Sequence, residues 1–132
     1  MMIDYETNVF DSVYQVAAPI CAKGKFFNVY TPSPTAYPAG SLFEVSNVTV
    51  RKRQSSTPVE NYAAVMYQLD CYALSKPECK RLYKAADERM ISLGFTRING
   101  DYLDNFDNTG VFRYTARYAA EIDVNGVIYR QP

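Results

Sequence analysis

The chain has 132 residues, with 14 basic and 14 acidic side chains and no histidine. This length is typical of one domain with a single core, so we expect residues 1–132 to form one domain. A formal net charge of zero gives no overall attraction to nucleic acid or to an anionic membrane, so charge-driven binding must be local.

The first predicted element is an amphipathic helix over residues 4–18 that stops near Pro19. Asp4 or Thr7 is placed to cap its start. The opening stretch, MMIDYETNVFDSVY, lacks the basic start and apolar run of a signal peptide, and no apolar stretch reaches the ~20 residues that a membrane span needs. We therefore expect a soluble protein that stays in the cytoplasm and has no membrane partner.

A short strand over residues 25–30 and a proline-rich crossing loop, TPSPTAYPAG, lead into a long hairpin. Residues 41–53 alternate between apolar and polar, and a change of parity near Ser46 and Asn47 predicts a β-bulge. Residues 62–73 alternate again after the polar turn RKRQSSTP. The tip of this hairpin is therefore predicted to carry Arg51, Lys52 and Arg53.

The motif SKPE at residues 75–78 predicts the start of a second helix, with Ser75 as the cap and Glu78 reaching back to it. One apolar face continues to residue 93, and Gly94 supplies a left-handed stop. The predicted helix spans residues 76–93. Its wet face, from Glu78 to Arg89, is typical of a solvated surface.

Asn99-Gly100 and Asn125-Gly126 are turn dipeptides between apolar segments, and each predicts a hairpin. The predicted order is helix, strand, long hairpin, helix and a meander of about three strands. Strands that run together beside separate helices favour an α+β fold. We expect a mostly antiparallel sheet with a long hairpin and two main helices packed on one face.

The segment from Gly110 to Arg130, GVFRYTARYAAEIDVNGVIYR, alternates as a strand with one buried face. Phe112 and Val124 fall on the apolar parity. Gln68 and Asp70 on the preceding long strand are candidate partners within the chain, and a neighbouring copy is the alternative. The polar parity places two cations before two anions: Arg113, Arg117, Glu121 and Asp123.

The catalytic inventory is small, because a chain without histidine has no imidazole base and no serine–histidine triad. Asp101, Asp104 and Asp107 suggest a cation site, but their spacing of three differs from an EF-hand loop, and a solvated loop is the simpler interpretation. The three cysteines are expected as reduced buried thiols, with a Cys71–Cys79 bridge as the alternative. We expect no enzyme activity, no cofactor and no metal.

The N-terminal helix, the crossing that ends in YPAG, the hairpin into ENYAAVMYQLDCYA, the capped helix and the closing strand FRYTARYAAEID occur in this order. In that order they resemble the small tail-terminator and head-to-tail joining proteins of tailed bacteriophages. The resemblance covers most of the chain and depends on aromatic alternation and turns.

The resemblance implies a structural virion protein of the neck or tail top, assembled in the host cytoplasm. It implies a homo-oligomeric ring, commonly a hexamer, that joins the tail tube protein to the head–tail connector proteins, with non-specific contact with passing DNA. Such rings need two different faces of each subunit to meet. The candidate interface residues are Arg51, Lys52, Arg53, Arg113, Arg117, Glu121 and Asp123.

The cations of the hairpin tip are also compatible with a different class of function. Arg51, Lys52 and Arg53 at the hairpin tip can contact phosphates, and tyrosines such as Tyr62 or Tyr72 can stack on bases. The alternative is thus a small nucleic-acid-binding module. A solubilising hairpin tip is the simplest interpretation of the three cations.

Overall fold

The computed structural model describes residues 3–30, 36–54, 57–103 and 110–130, with the backbone alone at 50–54, 57–61, 103 and 130. Two helices and six strands follow a simple order along the chain. The elements are α1 (Glu6–Ala17), a 3-10 turn (Ala22–Gly24), β1 (Phe26–Phe27), β2 (Ala39–Gln54), β3 (Thr57–Ala73), α2 (Lys76–Leu93), β4 (Thr96–Leu103), β5 (Phe112–Asp123) and β6 (Ile128–Arg130).

The strands form one six-stranded sheet in the order β1-β2-β3-β5-β4. Among the described strands, β1 and β2 pair in parallel and the remaining pairs are antiparallel. β6 pairs with β5 at residues 120–122, directly after the last β4 pair at Ala119, so β4 and β6 share one side of β5. The predicted α+β fold with a mostly antiparallel sheet is confirmed.

Both helices pack on one side of the sheet, which we call the inner face; the opposite side is the outer face. The predicted inner residues of β3 are buried there: Ala63, Val65, Tyr67, Leu69 and Cys71. The apolar alternation predicted for β2 fails, since Val45 and Val48 are 39% and 58% exposed. Tyr67 meets Phe95 edge to face at 5.3 Å. Alternation explains this arrangement, because successive strand side chains point to opposite faces. The core side chains of the helices are Val9, Val13, Ala17, Cys79, Leu82, Ala86 and Met90.

The predicted helix ends agree closely with the structure. The Ser75 hydroxyl accepts a hydrogen bond from the Glu78 amide at 3.4 Å, and α2 ends at Gly94 in the left-handed conformation, with φ 113°. α1 begins two residues after Asp4, whose carboxylate accepts from the Glu6 amide at 3.2 Å. Thr7 lies inside α1 and is therefore not its cap.

The hairpin predicted at Asn99-Gly100 is wrong, because both residues lie inside β4. The register shifts between Arg97 and Asn99, so the irregular position is a bulge within the strand. A Cβ at residue 100 would collide with the Tyr114 hydroxyl, so glycine serves a close approach of an aromatic ring and not a turn.

The hairpin predicted at Asn125-Gly126 is confirmed. Gly126 has φ 82°, and its amide donates to the Asp123 carbonyl at 3.0 Å. Phe112 and Val124 are 42% and 45% exposed, so the expected burial of this parity fails at both ends of β5. The inner positions between them, from Tyr114 to Ile122, are buried as predicted.

The early strands differ in length from the prediction. β1 is limited to two residues, whereas a strand over 25–30 was expected. The predicted bulge is present one residue earlier, between Glu44 and Ser46, and a second shift separates Val50 from Arg51.

All three cysteines are buried free thiols, with the Cys79 thiol 3.7 Å from the Cys71 carbonyl oxygen, so they form no bridge.

Neither of the two described helices is long and apolar enough to span a bilayer.

Candidate functional site

The outer face carries the polar parity of β3 and β5, which the sequence singled out. Strand pairing arranges its residues in rows that cross the sheet, because opposite residues of paired strands share a face. Three of these rows are Ser41–Asp70–Thr115–Asp101, Phe43–Gln68–Arg117–Asn99 and Val48–Ala64–Glu121–Tyr129.

Arg113 forms an ion pair with Asp70 across β5 and β3. Its Nη2 atom lies 3.2 Å from Asp70 Oδ1, and the Asp70 side chain is fully buried while that of Arg113 is 20% exposed. Burial lowers the pKa of Arg113, but the charge and hydrogen bond of Asp70 together with the nearby Tyr72 and Tyr30 raise it, and the net shift is upward. The partner predicted for this arginine within the chain is therefore confirmed.

Arg117 is held within its own row, by a hydrogen bond to the side-chain amide of Gln68. Its Nη2 atom donates to Gln68 Oε1 at 3.2 Å, and Gln68 Nε2 donates to Asp70 Oδ2 at 3.0 Å. The two arginines, the amide and the carboxylate thus form one hydrogen-bonded chain. The Arg117 side chain nevertheless remains exposed, so part of its guanidinium faces solvent.

Asp123 has a local role in the β5–β6 turn. Its Oδ1 atom accepts from the amides of Asn125 and Val127, each at 2.9 Å, and Tyr129 donates to its Oδ2 atom at 3.2 Å. The hydrogen bond from the Val127 amide is the largest cause of a lowered Asp123 pKa. Glu121, half-buried opposite Tyr129, forms no ion pair with any other described side chain.

Two tyrosine rings lie beside the arginine of the ion pair. The Arg113 guanidinium lies 5.6 Å from the Tyr72 ring centroid and 6.0 Å from that of Tyr30. Tyr72 is buried, which makes the prediction that it is an exposed stacking surface wrong. Ser41 Oγ, Tyr72 OH and Arg113 Nε are buried without a hydrogen-bond partner among the described residues.

The basic segment of the long hairpin lies in a strand and not in the turn. Arg51, Lys52 and Arg53 pair through the backbone with Glu60, Val59 and Pro58, and their side chains lie outside the described part of the structure. β5 pairs with β3 only as far as Tyr62. The hairpin beyond this point is a two-stranded arm that projects past the rest of the described sheet.

The solvent-facing side of α2 is not solvated throughout, contrary to what the sequence indicates. Asp87 accepts from the Tyr118 hydroxyl at 2.6 Å and pairs with Arg97 at 3.4 Å. Arg89 donates to the backbone carbonyl and the hydroxyl of Ser12, which ties α2 to α1. Two charged residues of this predicted solvated surface therefore stabilise the monomer.

The described residues contain no group of three or more Cys, Asp or Glu side chains that could hold a metal ion. Of the three aspartates considered for a cation site, Asp101 is exposed on β4, whereas Asp104 and Asp107 lie outside the described residues. Burial raises the pKa of the Cys79 thiol to about 11 and that of Cys21 to about 12. Thiolate chemistry is correspondingly disfavoured at both positions.

A groove of about 240 Å³ separates the two helices. Val16, Ala85, Glu88, Arg89 and Ser92 line it.

Comparison with known proteins gives a similarity of fold. A solved structure of the virion of a native gene transfer agent particle contains a chain that superposes with a TM-score of 0.59 at 12% identity. The match covers 86% of this chain and 92% of that chain. No family model matches the sequence, and no curated protein matches it.

Proposed function

We propose that this chain is a structural subunit of a phage-like virion, and more specifically a ring-forming tail terminator or head–tail connector subunit that joins the tail tube to the neck. The observation that carries the proposal is the almost end-to-end similarity of fold to a chain of a gene transfer agent virion. The order of elements resembles the tail-terminator and joining proteins of tailed phages, which supports the same role. The protein acts by shape and contacts, without turnover.

The two-stranded arm suits this function. An arm that leaves the sheet can reach a neighbouring subunit, the tail tube or a connector protein without disturbing the core. Arg51, Lys52 and Arg53 on β2 also give it cations for non-specific contact with DNA that passes through the ring.

Two residues of the polar row remain candidates for contacts between subunits in this proposal. Arg117 is exposed, and Glu121 is half-buried. Arg113 and Asp123 are occupied within the chain by Asp70 and by the β5–β6 turn, so they would support such a surface indirectly.

Light scattering coupled to size-exclusion chromatography, followed by electron microscopy of negatively stained particles, tests the proposal. We expect closed rings of one subunit size, commonly hexamers, and binding to a tail-tube or connector protein encoded beside this chain. A protein that stays monomeric at high concentration and binds neither partner would overturn the proposed function.

The basic arm also favours the second candidate, a small nucleic-acid-binding module. This function predicts salt-dependent gel shifts with single- or double-stranded DNA, and loss of the shift when Arg51, Lys52 and Arg53 are replaced by alanine. No shift at low salt would exclude it. Ring assembly with no DNA affinity separates the two candidates.

A further inference from the structure

Three lysines line one side of α2. Lys76, Lys80 and Lys84 are exposed and four residues apart, which places one about every 6 Å along the helix. The Lys76 ammonium lies 5.0 Å from the ring centroid of Tyr102 on β4, so this side of α2 overhangs β4. We call these three residues the lysine edge.

The carboxylate closest in sequence on this side of the helix is already occupied. Asp87 pairs with Arg97 and accepts from Tyr118, as described above. None of the three lysines forms an ion pair with another described residue. Glu88 follows Lys84 at the same four-residue spacing and is exposed, but it forms no ion pair with a described lysine, so the lysine edge keeps a net positive charge.

The opposite side of the helix layer is acidic. α1 and the residues just before it contain no lysine or arginine, and Asp4 and Asp11 are exposed there. Glu6 accepts from the Glu44 amide at 2.8 Å, which ties the start of α1 to β2. We call Asp4, Glu6, Asp11 and Glu44 the acidic edge.

Three carboxylates of the acidic edge, Asp4, Glu6 and Glu44, lie close enough for the charges of the first two to act on the third. Burial raises the pKa of Glu44, hydrogen bonds to Asn47 and Tyr67 lower it, and the charges of Glu6 and Asp4 raise it. Lys23 and Lys25 are also on the β1 side, but they adjoin the Phe26–Gly40 pair, four residues from Glu44. Four residues of strand span about 13 Å, so these cations lie well away from Glu44, and neither forms an ion pair with a described carboxylate.

The two edges lie on opposite sides of the molecule, at similar positions along the direction of the strands. Glu44 on β2 is in one row with Tyr67 on β3 and Tyr118 on β5, and the Tyr118 hydroxyl reaches Asp87 in the middle of α2. Lys84 is one turn before Asp87. The acidic edge borders β2, and the lysine edge borders β4, at the other end of the strand order.

We propose that copies of this chain associate head to tail, with the lysine edge of one copy against the acidic edge of the next. This inference rests on the proposed ring function and names the surfaces that would form the ring. Contacts between two different faces generate a closed ring when the rotation closes. A second copy is favoured over DNA because the complementary negative surface is present on the same chain, which has no net charge.

Charge reversal of each edge tests the proposal. The variant Lys80→Glu with Lys84→Glu makes the lysine edge negative, and Asp4→Lys with Asp11→Lys cancels the negative charge of the acidic edge, because Glu6 and Glu44 remain. We expect each variant alone to associate about 10- to 100-fold more weakly than the original protein, measured by sedimentation velocity. An equimolar mixture should associate more strongly than either variant alone, because the reversed positions of one variant then face the reversed positions of the other with opposite charges.

A matched control keeps the charge at the same two positions. Lys80→Arg with Lys84→Arg leaves the lysine edge positive and should leave assembly as in the original protein. Circular dichroism and a thermal midpoint for every variant identify any that fail to fold. If the Asp4 change unfolds α1, Asp11→Lys alone replaces that variant in the mixing experiment.

The outcomes separate the inference from the function on which it rests. Normal assembly of the Lys80→Glu, Lys84→Glu variant, or a mixture that associates no more strongly than either variant alone, would overturn the head-to-tail contact and leave the ring function standing. An original protein that is monomeric under all conditions would overturn both. If this variant assembles normally but loses binding to short duplex DNA, the lysine edge binds nucleic acid instead of a second copy.

Discussion

The buried ion pair between Arg113 and Asp70 gives the sharpest prediction about stability. Replacing Arg113 by methionine keeps the length of the side chain but leaves the Asp70 carboxylate, which is fully buried, with Gln68 as its remaining described hydrogen-bond donor. Replacing Asp70 by asparagine instead leaves a guanidinium that is 20% exposed and can still reach water. The two variants therefore remove the same interaction, but the first leaves a fully buried carboxylate unpaired and the second leaves a guanidinium that is partly exposed to solvent.

The expected magnitudes follow from this asymmetry. Removing one partner of a buried pair costs about 3–5 kcal/mol because the other charge is left uncompensated, so we expect about 3 kcal/mol or more for Arg113→Met. For Asp70→Asn we expect about 1–2 kcal/mol, since a neutral amide replaces the carboxylate and the arginine stays partly solvated. In a chain of this size, 3 kcal/mol lowers the thermal midpoint by roughly 10 °C.

Urea unfolding followed by far-ultraviolet circular dichroism measures both losses, with the slope of the transition as a check on two-state behaviour. The double variant Arg113→Met with Asp70→Asn is the control, and it should be more stable than Arg113→Met alone because no buried charge remains. Equal losses for the two single variants, or a loss below about 1 kcal/mol for Arg113→Met, would refute the reasoning.

Three further predictions concern the inner face and the buried thiols. Tyr118→Phe removes the 2.6 Å hydrogen bond to Asp87 and should cost about 1.5–3 kcal/mol in urea unfolding; an unchanged midpoint would contradict this. Gly100→Ala should cost about 1–3 kcal/mol because Tyr114 must leave its 3.8 Å stack on Tyr83, whereas Asp101→Ala at the exposed next position should change little. Burial raises the pKa of Cys79 from 9.0 to about 11, so the stability from its neutral thiol is fully present below pH 9 and is lost as pH rises through the folded value. The urea midpoint of the original protein should therefore decrease as the pH rises from 9 to about 11, and that of Cys79→Ala should decrease less.

The sequence by itself determined most of the elements and their faces. The bounds of α2 follow from Ser75 and Gly94, and the buried inner parity of β3 and β5 follows from alternation, because capping and strand periodicity depend only on neighbours along the chain. The same local signals failed at Asn99-Gly100. A glycine that avoids the ring of Tyr114 looks like a turn glycine until the two strands are paired.

Only the tertiary structure decided what the charges do. The sequence named Asp70 as a partner for the polar row, but not that Asp70 would be fully buried beneath Arg113, nor that Asp87 and Arg89 would bind other elements of the same chain. Nor did it place the lysines of α2 and the carboxylates of α1 at opposite ends of one sheet. Such relations depend on strand order and helix placement, which join residues far apart in the chain, and local patterns do not encode them.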